Sequence, residues 1–297
     1  MTGRLQDIFA LQDEIVQKIV TTLKLQLTLM EQGYLVRKTT DNLEAYDSYL
    51  RGMESYLRAW YEGKKEANEQ ARQMCEKAIE LDPTYAEAYA GLSTTYWLDW
   101  FYQWNPDRAQ LLERAFELAQ RAVALDDSLS LPHQILGNVY LWKKQHEQAI
   151  AEAERAIALD PNDAEGYRSL GTILVYAGRP EEGIGLSEKA MRLNPRYPLL
   201  CLFNLGFAYR VARRYEEALA PLKKVLTLNP NFSPVHYQLT ICYVELGRVE
   251  EARAEAAEVM RINPNARSSL ETVSQLPYKD PAVVERMIAA LRKAGLK

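Results

Sequence analysis

The sequence predicts an all-α repeat fold, a row of helix pairs stacked one on the next. Three observations predict it. Prolines keep a fixed clock: Pro161 and Pro195 lie 34 positions apart, as do Pro230 and Pro264, with a step of 35 between the two pairs. Other columns keep the same time, among them Leu92, Leu136, Leu170, Leu205 and Leu239, with Gly137, Gly171 and Gly206 directly after three of them. A small-residue column reads Ala115, Ala149, Gly183, Ala218 and Ala252. Within a repeat, apolar residues fall at spacings of three and four, as in Tyr89, Leu92 and Tyr96, which is one face of an α-helix.

Residues 1–40 come first and read as an amphipathic helix with a linker. "DIFALQDEIVQKIVTTLKLQLTLM" keeps a helical pattern from Asp7 to Met30. Ile8, Ile15 and Ile19 form one apolar line. Val16, Val20, Leu23, Leu27 and Met30 form a second in a coiled-coil register. The two lines together are too wide for an exposed helix. The helix therefore lies on the first repeats, pairs with a second copy through Val16, Val20, Leu23 and Leu27, or belongs against a domain not present here.

Residues 41–265 form the array of about six repeats. The first, around "AYDSYLRGMESYL", is irregular and about nine residues too long. The second, Ala86 to Leu129, holds the insertion "LDWFYQWNPD". Aromatics crowd both excesses: Trp60 and Tyr61 in one, Trp100, Phe101, Tyr102 and Trp104 in the other. Neighbouring repeats must touch, so the favoured expectation is that lengthened helices pack their aromatic ends together; an exposed cluster would mark a binding patch. The most regular repeats are Ser130 to Asp163, Ala164 to Tyr197 and Ser233 to about Asn265. Proline after "LD" or "LN" stops the second helix of each, and Asp or Asn before it suits a turn. Glycine inside a helix costs about 1 kcal/mol against alanine, so its return at one register marks a close helix approach.

Residues 266–297 supply a linker and a capping helix, "KDPAVVERMIAALRKAGLK". Asp280 is a good N-cap and Pro281 a good first helical residue. Val284, Met287, Ile288 and Leu291 make one stripe. Arg292 and Lys293 suit the negative helix end, and Gly295 the stop.

Composition narrows the function. The 297 residues are 47% hydrophobic with a formal charge of −4, which suits a folded chain and disfavours a nucleic-acid partner. Cys75, Cys201 and Cys242 are odd in number and lack metal spacing; they read as small buried packers in a reducing compartment. The start carries acids inside its first apolar stretch, unlike a secretory signal. The most apolar run, Tyr197 to Tyr209, is too short to span a bilayer. The expectation is a soluble, cytoplasmic protein with no membrane partner. His133, His146 and His236 show no metal or catalytic spacing. No phosphate loop or nucleophile elbow is written, so no enzyme, cofactor or metal is expected.

The repeating residues resemble the tetratricopeptide repeat family over roughly residues 42 to 265. The resemblance implies helix–turn–helix pairs in a right-handed superhelical solenoid whose inner groove is lined by first helices. Carried onto this sequence, that lining includes Trp97, Asn138, Trp142, Arg168, Tyr176, Phe203, Phe207, Arg210 and Tyr237. Tyr, Trp and Arg dominate interface hot spots. The groove suits an apolar or amphipathic protein segment, with Arg168 and Arg210 open to an acidic flank. Ser169 and Leu200 stand where a carboxylate clamp needs polar or basic groups, so no chaperone-tail clamp is expected. "LQDIFALQDEIVQKIV" and the ending "LRKAGL" are similar to segments flanking the repeats of bacterial proteins that join a class III adenylate/guanylate cyclase domain, a TolB-like domain and such repeats. That similarity implies an interaction scaffold in bacterial signalling or, alternatively, a regulatory or dimerisation module of a cyclase with no ligand of its own.

Overall fold

The computed structural model describes residues 18–19, 22–27, 40–102, 104–195, 199–262 and 269–296. Among them every regular element is a helix. Six pairs follow one another: α1 (Leu43–Glu62) with α2 (Lys65–Leu81), α3 (Ala86–Tyr102) with α4 (Arg108–Leu125), and α5 (Ser130–Trp142) with α6 (His146–Leu159). Then come α7 (Ala164–Tyr176) with α8 (Pro180–Leu193), α9 (Leu199–Val211) with α10 (Tyr215–Leu228), and α11 (Ser233–Glu245) with α12 (Val249–Ile262). A short α13 (Ser269–Ser274) and α14 (Pro281–Lys293) end the chain. The last four pairs alternate 13 and 14 residues without exception, whereas α1 to α4 run to 20, 17, 17 and 18. The insertion in the second pair thus adds about one turn to each helix rather than a loop.

The turns explain the signature residues. Asp82, Asp126, Asp160, Asn194 and Asn229 each end a second helix, the backbone N–H bonding the carbonyl four residues back. At four of them the side chain also accepts from the N–H two residues on: Thr84 at 2.9 Å, Ser128 at 3.0 Å, Asn162 at 3.2 Å and Asn231 at 3.2 Å. Only a short side chain with an acceptor can close this ring. Inside the pairs the turn needs one left-handed residue: Lys144, Gly178, Arg213 and Gly247 have φ of 59°, 86°, 61° and 74°. The next N–H then reaches back into the first helix, as Arg179 to the Leu174 carbonyl at 2.8 Å. This satisfies a helix-end carbonyl that would otherwise be orphaned.

One first-helix column has a polar tip with a fixed task. Tyr89 Oη donates to the Pro83 carbonyl at 3.3 Å, His133 Nε2 faces that of Asp127 at 2.9 Å, and His236 Nε2 faces that of Pro230 at 3.1 Å, always six residues back. The two histidines are therefore turn-holding groups in a tyrosine slot. His236 also sets Nδ1 at 2.6 Å from Glu255 Oε2. Burial alone would lower its pKa; the Glu255 carboxylate, the Pro230 carbonyl and the nearby Glu258 outweigh it, and the net shift is upward. A raised folded-state pKa stabilises below the unfolded value of about 6.5 and is lost as pH rises through the folded one. In urea, His236 should add stability to residues 136–297 at about pH 6 that is lost by about pH 8.5, a difference opposed by His146, whose pKa burial lowers. His236→Tyr should flatten that difference; an unchanged slope would assign it elsewhere.

The chain divides into two compact units, residues 1–135 and 136–297. In the first, Asn42 caps α1 by accepting from Glu44 and Ala45, and its amide donates to the Leu81 carbonyl at 2.9 Å, tying the start of α1 to the end of α2. Tyr49, Leu50, Leu57 and Tyr85 are buried between these helices. The aromatic ends of α1 and α3 pack on each other. Trp60 meets Trp97 at 5.1 Å and Phe101 at 5.5 Å, and Tyr102 Oη donates to the Trp60 carbonyl at 2.9 Å. The aromatic ends thus pack on each other, and Trp60, Trp97, Phe101, Tyr102 and Trp104 are each half-buried. Residues 18–19 and 22–27 are helical. Leu25 packs on the α1 core and Thr22 donates to Asp47 at 2.8 Å, while Ile19, Leu23 and Leu27 are 56%, 53% and 52% exposed. Val16 and Val20 lie outside the described residues.

In the second unit, α9 and α11 are apolar on most faces because each is covered by its own second helix and by neighbouring pairs. The second helices expose one charged face, stitched by pairs three apart such as Arg179–Glu182 and Arg253–Glu250. Asp280 caps α14, accepting from Ala282 at 2.9 Å. Met287 and Leu291 are buried and Val284 and Ile288 partly so. The capping helix lies against α11, a first helix, and so sits on the face expected to be the open groove. Cys75, Cys201 and Cys242 are buried thiols, each pushed up to about 12 by burial, and so are inert packers as expected.

Candidate functional site

Helical spacing places Trp142, Tyr176, Phe203 and Phe207 on the first helices α5, α7 and α9 of the second unit, and their rings form a connected row. Trp142 lies 6.1 Å from Tyr176, Tyr176 5.1 Å from Phe207, and Phe207 6.4 Å from Phe203; Phe203 meets Phe232 before α11 at 5.5 Å. Trp142, Tyr176, Phe203 and Tyr237 are half-buried, whereas Phe207 is a core residue at 3% exposure. Beside the row runs a line of polar groups. Ser169 Oγ donates to Asn138 Oδ1 at 3.0 Å and Asn204 Nδ2 to Thr172 Oγ1 at 2.9 Å, which fixes α5 to α7 and α7 to α9. Asn138 thus serves the packing of neighbouring first helices.

Two arginines differ from expectation. Arg168 pairs with Glu165 one turn back on its own helix, with Nε to Oε2 at 2.7 Å. Arg210 is 4% exposed and donates through Nη2 to Tyr278 Oη at 2.5 Å. It is covered rather than open to a partner's acids. Its Nε meets no acceptor. Trp97 belongs to the first unit and to the aromatic packing there.

The residue missed by sequence reasoning is Tyr278, which lies in the supposed linker. It is 7% exposed, 4.8 Å from the Tyr176 ring and 6.3 Å from that of Phe207. Burial raises the Tyr278 phenol above its ordinary pKa despite the Arg210 guanidinium, so it stays a neutral group. Next to it Lys279 N–H donates to the Tyr176 carbonyl at 2.9 Å, and Lys279 Nζ lies 2.7 Å from Glu147. The signal was present as "LPY", an apolar, a proline and an aromatic ahead of a well-capped helix. A small cavity of about 20 Å³ between α9, α11 and α14 is lined by Arg210, Arg213, Glu245 and Arg286 together with Val211, Ile241 and Met287. Among the described residues no cluster of His, Cys, Asp or Glu could hold a metal, and no helix is long and apolar enough to cross a membrane.

Models of the tetratricopeptide repeat match residues 55–85, 137–178 and 209–276. Those three stretches are tetratricopeptide repeats. Solved structures agree at the level of fold. The Cut9-Hcn1 structure superposes with a TM-score of 0.62 at 19% identity over 84% of this chain and 44% of that one. PilW, a type IV pilus biogenesis factor, gives 0.53 at 20% identity over 68% and 90%. A 145-residue stretch, 49% of this chain, is 36% identical to "Putative adenylate cyclase 3" of Rhizobium meliloti (strain 1021). That stretch is 24% of the relative's length.

Proposed function

We propose that these repeats form a non-catalytic scaffold that takes a partner protein segment on the first-helix face of residues 136–297, in the service of bacterial signalling. The observation that carries it is the ring row from Trp142 to Phe203, which leaves half-buried aromatic edges in a line on one face. Such rigid aromatics supply contact area at low entropic cost and dominate hot spots. The signalling context rests on the likeness to the Rhizobium meliloti relative named as a cyclase.

A second reading has its own support. Ile19, Leu23 and Leu27 form an exposed apolar line at helical spacing, which suits self-association as the dimerising portion of a larger cyclase. One experiment separates the two. Peptides selected from a random display library on the wild-type chain should be apolar or aromatic, and Trp142→Ala with Tyr237→Ala should weaken them by roughly thirtyfold. Leu23→Glu should leave that binding intact. A library that yields no binders, with light scattering showing a dimer that Leu23→Glu converts to monomer, would replace the first reading with the second.

A further inference from the structure

The face just described is already occupied by the chain itself. From α13 the backbone runs through Leu276, Pro277, Tyr278 and Lys279 to α14, and it crosses first helices well upstream of the last pair. Tyr278 reaches Tyr176 on α7 and Phe207 and Arg210 on α9, and Lys279 reaches Glu147 at the start of α6. A helix that merely sealed the end of an array would need none of these contacts. The mode of contact is that of a bound peptide: one aromatic side chain between rings, one backbone N–H to the carbonyl at the end of α7, and one ion pair at the rim.

The fit is incomplete at one point. Arg210 is a buried guanidinium whose assigned acceptor is a neutral phenol and whose Nε has none. A carboxylate is a stronger acceptor for a guanidinium than a phenol and would offer a second oxygen to the Nε, which Glu245, though it lines the same cavity, does not reach. Elsewhere the segment is held by Leu276 on the core, by the Lys279 N–H on the Tyr176 carbonyl, and only weakly by the rim pair, whose Lys279 and Glu147 side chains are 55% and 77% exposed.

Building on the interaction reading above, we propose that Leu276–Lys279 is an internal ligand that holds this face closed, and that the external occupant is an extended segment carrying an aromatic or apolar residue with a carboxylate aimed at Arg210. Closure reduces the partner's apparent affinity by the fraction of time the face is open.

The test uses the full chain and two fluorescent probes. One is the heptapeptide of residues 274–280. The other is the same peptide with p-carboxyphenylalanine at the position of Tyr278. Tyr278→Ala should bind both probes at least about tenfold more tightly than wild type, with the carboxylated probe the tighter. Replacing Arg210 by Met in that background should abolish the preference for the carboxylate. Tyr278→Phe keeps the ring and the fold and removes only the hydroxyl; it should tighten both probes by one common factor, smaller than that of Tyr278→Ala. Equal affinity of wild type and both Tyr278 variants would overturn the closure and leave the interaction face standing. Absence of binding to a folded Tyr278→Ala chain would overturn both. A wild-type dimer in light scattering that Tyr278→Ala dissolves would also overturn the proposal, because the segment would then belong to a neighbouring copy.

Discussion

Asp99→Ala should destabilise residues 1–135 by about 3–5 kcal/mol. Asp99 sits on α3 at 3% exposure and faces α2. Arg72 Nη2 donates to its Oδ2 at 2.7 Å and Asn68 Nδ2 to its Oδ1 at 2.7 Å. Both donors also reach the Thr95 carbonyl, at 3.2 Å and 2.9 Å. Asn68 is fully buried and the Arg72 side chain is 20% exposed, over the Tyr96 ring at 4.2 Å. Removing the carboxylate strips the guanidinium of its counter-charge and the amide of a partner, and the fully buried Asn68 amide has no water to turn to. Salt should restore nothing, because the pair is shielded from solvent ions. Four of the five tryptophans, Trp60, Trp97, Trp100 and Trp104, lie in this unit, so tryptophan fluorescence in urea reads it selectively. Arg72→Met combined with Asp99→Leu should recover most of the loss, since a buried ion pair exchanged whole for apolar groups is often neutral. A loss below about 1 kcal/mol for Asp99→Ala would mean that the pair is wet and worth no more than a surface bridge.

That network was not legible in the sequence, whereas the repeat was, and the difference lies in range. Asp160 closing a turn onto the N–H of Asn162, or Gly178 adopting a left-handed turn, is chemistry among neighbours. Local chemistry recurs wherever the turn recurs, so it writes the 34-residue clock into the text. The columns of leucine and alanine are legible for the same reason, because each pair buries itself against the next by one rule. Asn68 with Asp99 joins α2 to α3 once, in the irregular part of the array, where no second copy exists to compare. Tyr278 is a sharper case. Its partner Arg210 lies 68 positions away, and that of Lys279, Glu147, lies 132 away. The family resemblance offered Tyr176, Phe207 and Arg210 as one lining, and in the structure all three meet Tyr278. It could not say that a linker tyrosine would lie across them, and Arg210 looked available when it is covered.

The second large effect sets the repeat columns against the geometry. Four of five repeats carry alanine where Gly183 stands, namely Ala115, Ala149, Ala218 and Ala252. Helix propensity adds about 1 kcal/mol in favour of Gly183→Ala. Column logic therefore calls the change stabilising, and the structure gives the opposite sign. A Cβ at Gly183 would lie 2.5 Å from Val175 Cγ2 and 2.8 Å from the Gly171 carbonyl oxygen. The first neighbour is a β-branched side chain at 1% exposure, confined to essentially one rotamer in a helix. The second is backbone of α7 and moves only with the helix. In this repeat α7 and α8 meet glycine to glycine, closer than an alanine allows. Overpacking a tight core costs about 1–3 kcal/mol, occasionally more. Net of propensity, Gly183→Ala should destabilise residues 136–297 by about 1–2 kcal/mol in urea. Adding Val175→Ala removes one clash and leaves the other, so it should relieve only part of the overpacking, and the two changes should couple. A Gly183→Ala chain as stable as wild type would show that the two helices stand farther apart than the glycine pair requires, and the column would then be the better guide.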